Sequence, residues 1–417
     1  MQTVVLPRRP SQRRAWLLVL PLLTVVYLAV LHPILRRYSA LFFLPQPLKT
    51  LPLDEAGAQA LLAAHRLLLL GGPHRGGTTL LWRLLAAHPS VSGFAESVAT
   101  DFGEGAFLQS VLPTFGVGAE FVGRPRRNSG LGRYALAPTS HLTEAHALNT
   151  NASARRLVAE WGYHWDLSRP TLAEKTPTNM VASRLLQARA QFFDGNSARN
   201  FLTPHFSRQA LLWGGTPTFL FISRHPLAVA LAHRAFPGCS ERELPIGDAL
   251  LHWTVSHTIL AADLPHLARA RTLRYEDLAA APAACAAELL RWLELPAAAA
   301  VTAAAATVKP HANRKYETTY CSALEGGSNR AAARRAAHCG AALALQPRID
   351  EFGLEYDVAT GGPAGFGCVR AAAPCDGVEA SAALQRKLES HAPTTPPVMR
   401  GNLAGPALCW GLLGRSE

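Results

Sequence analysis

Lysine is scarce in this chain of 417 residues, five against thirty-six arginines. A lysine set in a motif is therefore hard to dismiss as generic surface charge. None of the seven cysteines stands in a C-x-x-C spacing, which leaves a zinc ribbon or a thioredoxin-type site without support. Histidine is plentiful at sixteen, yet no pair has ligand spacing with a partnering Cys or acid. His252 and His257, five apart, would diverge on a helix, so no metal is expected. Acidic residues are missing from the first fifty positions, where six arginines and one lysine supply +7 of the formal +12. The remaining 367 residues carry only +5, which suits an enzyme for anionic ligands better than a nucleic-acid coat. With 49% hydrophobic residues the chain can bury one large catalytic domain or two modest ones, and disorder throughout is excluded. No internal repeat is evident.

What the first fifty residues do contain is a charge-free run of 21 residues, AWLLVLPLLTVVYLAVLHPIL at 15–35. As a helix it is long enough to cross about 30 Å of hydrocarbon. It reads as a single transmembrane signal anchor, with 1–14 as a cytoplasmic tail. Arg8, Arg9, Arg13 and Arg14 precede it and Arg36, Arg37 and Lys49 follow, a slight bias toward a cytoplasmic N-terminus. The alternative is a cleaved signal peptide, but the run is long for one and no small-x-small site follows. The sequon Asn151-Ala152-Ser153 agrees with a lumenal domain. In an oxidising lumen Cys321 with Cys339, or Cys368 with Cys375, could pair, and the connectivity stays open.

Residues 36–60, rich in Pro and Leu, read as a stem. From 61 to 358 short apolar runs alternate with longer helical segments, the pattern of a mainly parallel sheet covered by helices. Strands are expected at 66–70, 218–223 and 272–275, and helices at 78–88, 227–234, 246–268 and 282–293. The stretch 101–150 reads as loop-rich insertion, and the alanine tract 297–306 as helix or spacer. Residues 359–417 drift to Gly, Ala and Pro and read as a low-complexity tail.

The strand at 66–70 runs into Gly72-Pro73-His74-Arg75-Gly76-Gly77-Thr78-Thr79, which has the outline of a phosphate-binding loop except that Thr78 replaces its lysine. In a nucleoside triphosphatase that lysine neutralises the β and γ phosphates, so its loss argues against triphosphate chemistry. Small residues for close backbone approach, two hydroxyls and Arg75 as a bidentate cation remain. Such a loop suits a single terminal phosphate beside another anionic centre. It resembles the 5′-phosphosulfate loop of sulfotransferases, the enzymes that use 3′-phosphoadenosine 5′-phosphosulfate. Three further segments are similar to that family in the expected order. They are Phe221-Ile222-Ser223-Arg224-His225-Pro226, Arg274-Tyr275-Glu276-Asp277-Leu278 and Phe352-Gly353-Leu354. The resemblance spans about residues 66–358 and implies an α/β, P-loop-like three-layer fold.

Within that superfamily the motifs look most like those of the tyrosylprotein sulfotransferases. Arg75 is followed by Thr78-Thr79-Leu80, His88-Pro89 and then Glu96, at the offset of that subgroup's catalytic base. An attacking hydroxyl must lose its proton while charge builds on the departing oxygen, and a carboxylate beside cations answers both needs. The resemblance thus makes Glu96, Lys175 and Arg75 the catalytic candidates, Lys175 from the K-x-P core of Lys175-Thr176-Pro177. Arg224, at a strand end before a helix, is expected on the donor's 3′-phosphate. The family's serine eight residues further on is Ala232 here, with His233 or Arg234 as substitutes. Tyr275 resembles a tyrosine near the same phosphate. Lys309, in Val308-Lys309-Pro310, or the basic cluster Asn313-Arg314-Lys315-Tyr316 would close over the nucleotide, Lys309 being favoured. The subgroup's serine before that segment has no counterpart. The resemblance implies a Golgi membrane enzyme acting on secretory cargo, with protein tyrosine as first acceptor, a glycan hydroxyl as the alternative, and a homodimer left open.

Overall fold

Among the described residues five short strands, all parallel, form one sheet in the order β2-β3-β1-β4-β5. They are β1 Arg66–Gly71, β2 Val91–Ser92, β3 Thr171–Lys175, β4 Thr218–Ser223 and β5 Ala270–Arg274. The computed structural model describes residues 48–95, 103–113, 131–137, 139–191, 216–235, 239–310, 313–316, 328–354, 356–358 and 379–391. The expected membrane span at 15–35 and Glu96 lie outside these residues. Among the described residues no helix is long and apolar enough to cross a membrane.

Side chains alternate across the strands and so divide the interior in two. Leu69, Leu172, Phe219 and Phe221 face one core, while Leu68, Leu70, Ala173, Leu220 and Ile222 face the other. Being buried on both faces, β1 and β4 read as near-continuous apolar runs. The first face is covered by α1 Glu55–Ala64, α3 Asn151–Gly162, α4 Asn179–Gln191, α5 Pro226–His233 and α6 Ile246–Asp263. The second is covered by α2 Thr78–Ala86, α7 Tyr275–Ala280, α8 Pro282–Trp292 and α9 Ala299–Ala306. Helix over sheet over helix is the three-layer α/β arrangement the sequence pattern implies.

Two further helices, α10 Asn329–Glu351 and α11 Ala382–His391, pack against α6. That explains why α6 is buried on nearly every side. The Ser328 side chain caps α10 by accepting from the Ala331 amide at 3.2 Å.

Several boundaries differ from those read in the sequence. The expected stem contains α1, capped by Asp54, whose carboxylate accepts from the Gly57 amide at 2.7 Å. Leu51 donates to the Ala159 carbonyl at 2.9 Å, so chain belonging to the folded unit begins about ten residues before position 61. The expected tail contains α11, whose Leu384 and Leu388 pack on the core. β2 is two residues long, and β3 ends in Glu174-Lys175, so neither shows an apolar run. The described parts of 101–150 hold turns, the short 3-10 segments Gly105–Phe107 and Tyr134–Leu136, and one bridging residue, Glu104. Cys239 is a buried free thiol, and Cys285 and Cys339 are disulfide-bonded. Of the expected pairs, Cys321, Cys368 and Cys375 lie outside the described residues.

Candidate active site

A parallel sheet brings the carboxyl ends of its strands to one edge, where the crevice of an open α/β fold lies. Gly71, Lys175, Ser223 and Arg274 all end strands on that edge. The loop 72–77 leaves β1 there and enters α2 at Thr78. Its backbone tolerates almost no added bulk. A Cβ on Gly72 would sit 2.4 Å from the Ile222 carbonyl oxygen, and one on Gly77 would sit 2.6 Å from Cδ2 of Tyr275. The α2 N-terminus at Gly77 has no side-chain cap, so its first amides stay available to an anion. Arg75 holds a left-handed conformation at φ 66°, a backbone state that costs on the order of 1 kcal/mol outside glycine and clusters at ligand clamps.

His74 contributes packing and not charge. Burial first, then the charges of His233, Lys175 and Arg75, push its pKa down to about 3 and keep it neutral. Its ring meets Tyr134 edge-on at 5.2 Å, and the Tyr134 hydroxyl donates to the Gly72 carbonyl at 3.3 Å.

The ammonium absent from the loop arrives from the neighbouring strand. Lys175, fully buried, places Nζ 3.5 Å from Thr79 Oγ1 at the first turn of α2. Its counter-ion is Glu104, whose Oε1 lies 2.9 Å from Nζ and whose side chain is 13% exposed. Glu104 adds a single parallel bridge to Lys175, which lays the 103–113 segment over the strand end. Beside it Glu174 accepts from the Thr176 hydroxyl, the Asn179 amide group and the Gly105 amide. A carboxyl, its lysine and a second carboxyl thus alternate within one buried cluster.

Burial pushes the Glu174 carboxyl up to about 7, against the downward pull of Thr176, Asn179, Lys175 and Gly105. Because the folded value lies above the unfolded one, this group adds stability at low pH that is lost as pH rises through about 7. Denaturant titrations between pH 5 and 8 are expected to show stability falling by up to about 3 kcal/mol from this source, a slope that Glu174→Gln flattens.

On the other side of the loop Arg224 acts as a clip. Its Nη1 donates to the Arg75 carbonyl at 3.1 Å, and its Nε donates to Asn313 Oδ1 at 2.8 Å. Its guanidinium lies 4.2 Å from the Tyr275 ring centroid and 5.4 Å from that of Tyr316. Glu276 braces this group by accepting from the His225 amide, from Asn313 and from the Tyr356 hydroxyl at 2.7–2.9 Å. The structure therefore brings together Pro73 to Thr79, Lys175, Arg224 and Tyr275. Lys309 is exposed beyond α9, and Asn313 and Tyr316, from the alternative segment, are what reach Arg224. At the place of the family serine, Ala232 is buried in α5, with His233 bonded to the Val229 carbonyl at 2.7 Å and Arg234 to the Cys239 carbonyl at 2.9 Å.

Glu104 and Glu276 are the functional candidates that sequence reasoning missed. Glu276 stood inside the quoted R-Y-E-D-L segment, so a signal existed. Glu104 sits in an aperiodic stretch, and only the need of a buried lysine for a counter-ion could have pointed to it.

No protein-family model matches the chain, and no curated protein does. Among solved structures, the sulfotransferase domain from the curacin biosynthetic pathway is similar at 17% identity over 57% of this chain and 76% of that one, with a TM-score of 0.32. The sulfotransferase domain of the Synechococcus PCC 7002 olefin synthase gives 20% identity over 57% and 75%, with a TM-score of 0.31. A sulfotransferase from Mycobacterium tuberculosis H37Rv gives 15% identity over 60% and 73%, with a TM-score of 0.35.

Proposed function

We propose that the protein is a sulfotransferase that moves the sulfuryl group of 3′-phosphoadenosine 5′-phosphosulfate to a hydroxyl, with tyrosine of a secretory protein as first acceptor. The observation that carries the reading is the placement of Lys175 at the uncapped N-terminus of α2, next to a glycine-rich loop that has an arginine and no lysine of its own. One ammonium, one guanidinium and a set of amides match a 5′-phosphosulfate better than a triphosphate, which needs a loop lysine and a metal-binding acid. In the step proposed, the acceptor oxygen attacks sulfur in line. The new S–O bond forms as the bond to the bridging phosphate oxygen breaks, and adenosine 3′,5′-bisphosphate leaves. Lys175 and the α2 amides stabilise the charge on the departing oxygen. The acceptor's proton goes to Glu96, a role that rests on its motif offset alone. Arg224 with Tyr275 is assigned to the 3′-phosphate, and the run at 15–35 to anchorage in the Golgi membrane.

Labelled sulfate offered from the donor, side by side, to a tyrosine peptide and a desulfated polysaccharide tests the reading and decides between the two acceptor classes. Adenosine 3′,5′-bisphosphate is expected to raise the melting temperature where ATP does not. Absence of both transfer and product binding would remove the proposal. Glu96→Gln is expected to lose at least about 10²-fold in turnover while keeping nucleotide binding, and undiminished turnover would strike it from the mechanism.

A further inference from the structure

Three imidazoles gather behind the phosphate loop, and the proposed chemistry does not use their titration. His74 lies in the loop itself, His233 ends α5 and His252 sits within α6. Tyr134 joins them. Its ring meets His74 edge-on at 5.2 Å and His252 edge-on at 4.5 Å, while its hydroxyl donates to the Gly72 carbonyl at 3.3 Å. The same segment presses on His233, because a Cβ on Gly132 would sit 3.0 Å from Nε2 of that ring. His233 and His252 are buried, and His74 is half-buried. Water is shut out from His74 Nδ1, His233 Nε2 and both ring nitrogens of His252, and none of the four has a hydrogen-bond partner. Among the described residues no three His, Cys, Asp or Glu side chains are arranged to hold a metal ion.

No carboxylate stands ready to stabilise an added proton on these rings. The charged groups acting on His74 are His233, Lys175 and Arg75, those on His233 are Arg75 and Arg234, and those on His252 are His233, His74, His257 and Arg133. All are basic. Glu241 acts on Arg234. Burial is the largest cause in each case, and it takes His74 down to about 3, His233 down to about 4 and His252 well below its ordinary 6.5. Folded values below the unfolded one mean stability that is present above about pH 6.5 and is lost as pH falls toward 4. A proton taken up at pH 5.5 therefore goes to an opened form in which the ring reaches water. One pH unit below its ordinary value, each ring so exposed favours that form by about tenfold. For His74 the opening parts the loop from Tyr134, so protonation acts on the anion cradle itself.

We propose that His74, His233 and His252 form an acid-sensitive latch, which holds the phosphate loop against Tyr134 while the rings are neutral and releases it when they take up protons. The latch is independent of the sulfuryl-transfer reading and acts whichever anion the loop binds.

Amide hydrogen exchange of the full chain at pH 7.5 and 5.5, without ligand and corrected for the intrinsic rate at each pH, is the test. The reporter is the loop peptide, whose Gly72 and Gly76 amides donate to the Pro177 and Pro73 carbonyls. The reference is a peptide from α8, which covers the other face of the sheet. Between the two pH values the loop is expected to lose at least about 10²-fold more protection than α8. His252→Leu removes a ring whose nitrogens bond nothing, and His233→Gln removes a second titrating group. Each is expected to cut the loop's excess loss by about tenfold. The second variant keeps the test decisive should the first not fold, and a reduced loss in either one upholds the latch. The proposal fails if the wild-type loop loses no more protection than α8, or if neither variant reduces the loss.

Discussion

Exchanging Lys175 for methionine is expected to lower the rate of sulfuryl transfer by about 10²- to 10³-fold, the cost of one charge-stabilising donor at a departing oxygen. The loss should fall on kcat more than on KM, because the ammonium matters most when charge has built up. Stability is expected to change little. Methionine suits the buried end of β3, and Glu104, 13% exposed, can turn toward water once its partner is gone. The reverse truncation behaves differently. Glu104→Leu leaves a lysine of zero exposure without its counter-ion, and stability is expected to drop by about 3 kcal/mol. The double variant is expected to recover most of that stability and none of the transfer. Denaturant unfolding and single-turnover transfer on the three variants provide the measurement. Equal destabilisation by both single changes would mean that Lys175 and Glu104 do not form the pair described.

The second large effect concerns the loop backbone. Gly72→Ala would drive a methyl group to 2.4 Å from the main-chain oxygen of Ile222 at φ +155°, where the neighbour is the interior strand β4, paired on both sides, and cannot rotate away. The loop and β4 would have to separate, and with them the clip from Arg224 to the Arg75 carbonyl. Loss of adenosine 3′,5′-bisphosphate binding by at least about 10²-fold is expected, with a destabilisation of roughly 3 kcal/mol. Gly57→Ala serves as the control, since it meets only the ends of Asp54 and Leu53 at 3.1–3.3 Å. Isothermal titration of the nucleotide and thermal melting separate the two outcomes.

What the sequence made legible follows from how each signal arises. β1 and β4 show themselves because strands covered on both faces have few polar interruptions, whereas β5, with two arginines and a threonine in five residues, is a weaker pattern beside the R-Y-E-D-L segment; the lysine-free loop is local enough to be read residue by residue. β3 escapes because it ends in Glu174-Lys175, a pair that pattern reading assigns to solvent. Burial of that pair depends on Glu104, which lies about seventy positions earlier in an aperiodic stretch. Arg224 was legible as a residue at a strand end, but its bonding to Asn313 and Arg75 arises from segments that only the tertiary fold brings together. The same holds for α1 and α11, whose small apolar faces gain meaning from the surfaces they cover.

Helix α11 has a mechanical role that its composition conceals. His391 at its end donates to the Leu136 carbonyl at 3.2 Å, and two residues before Leu136 the Tyr134 hydroxyl grips the carbonyl of Gly72. This turn is thereby a strut behind the anion cradle, and Lys387 fastens its helix to Asp248 on α6. A protease that clips the polypeptide ahead of α11 would slacken a loop whose other partners all lie before the cut, so shortened forms are expected to lose affinity for adenosine 3′,5′-bisphosphate while keeping Pro73 to Thr79, Lys175, Arg224 and Tyr275.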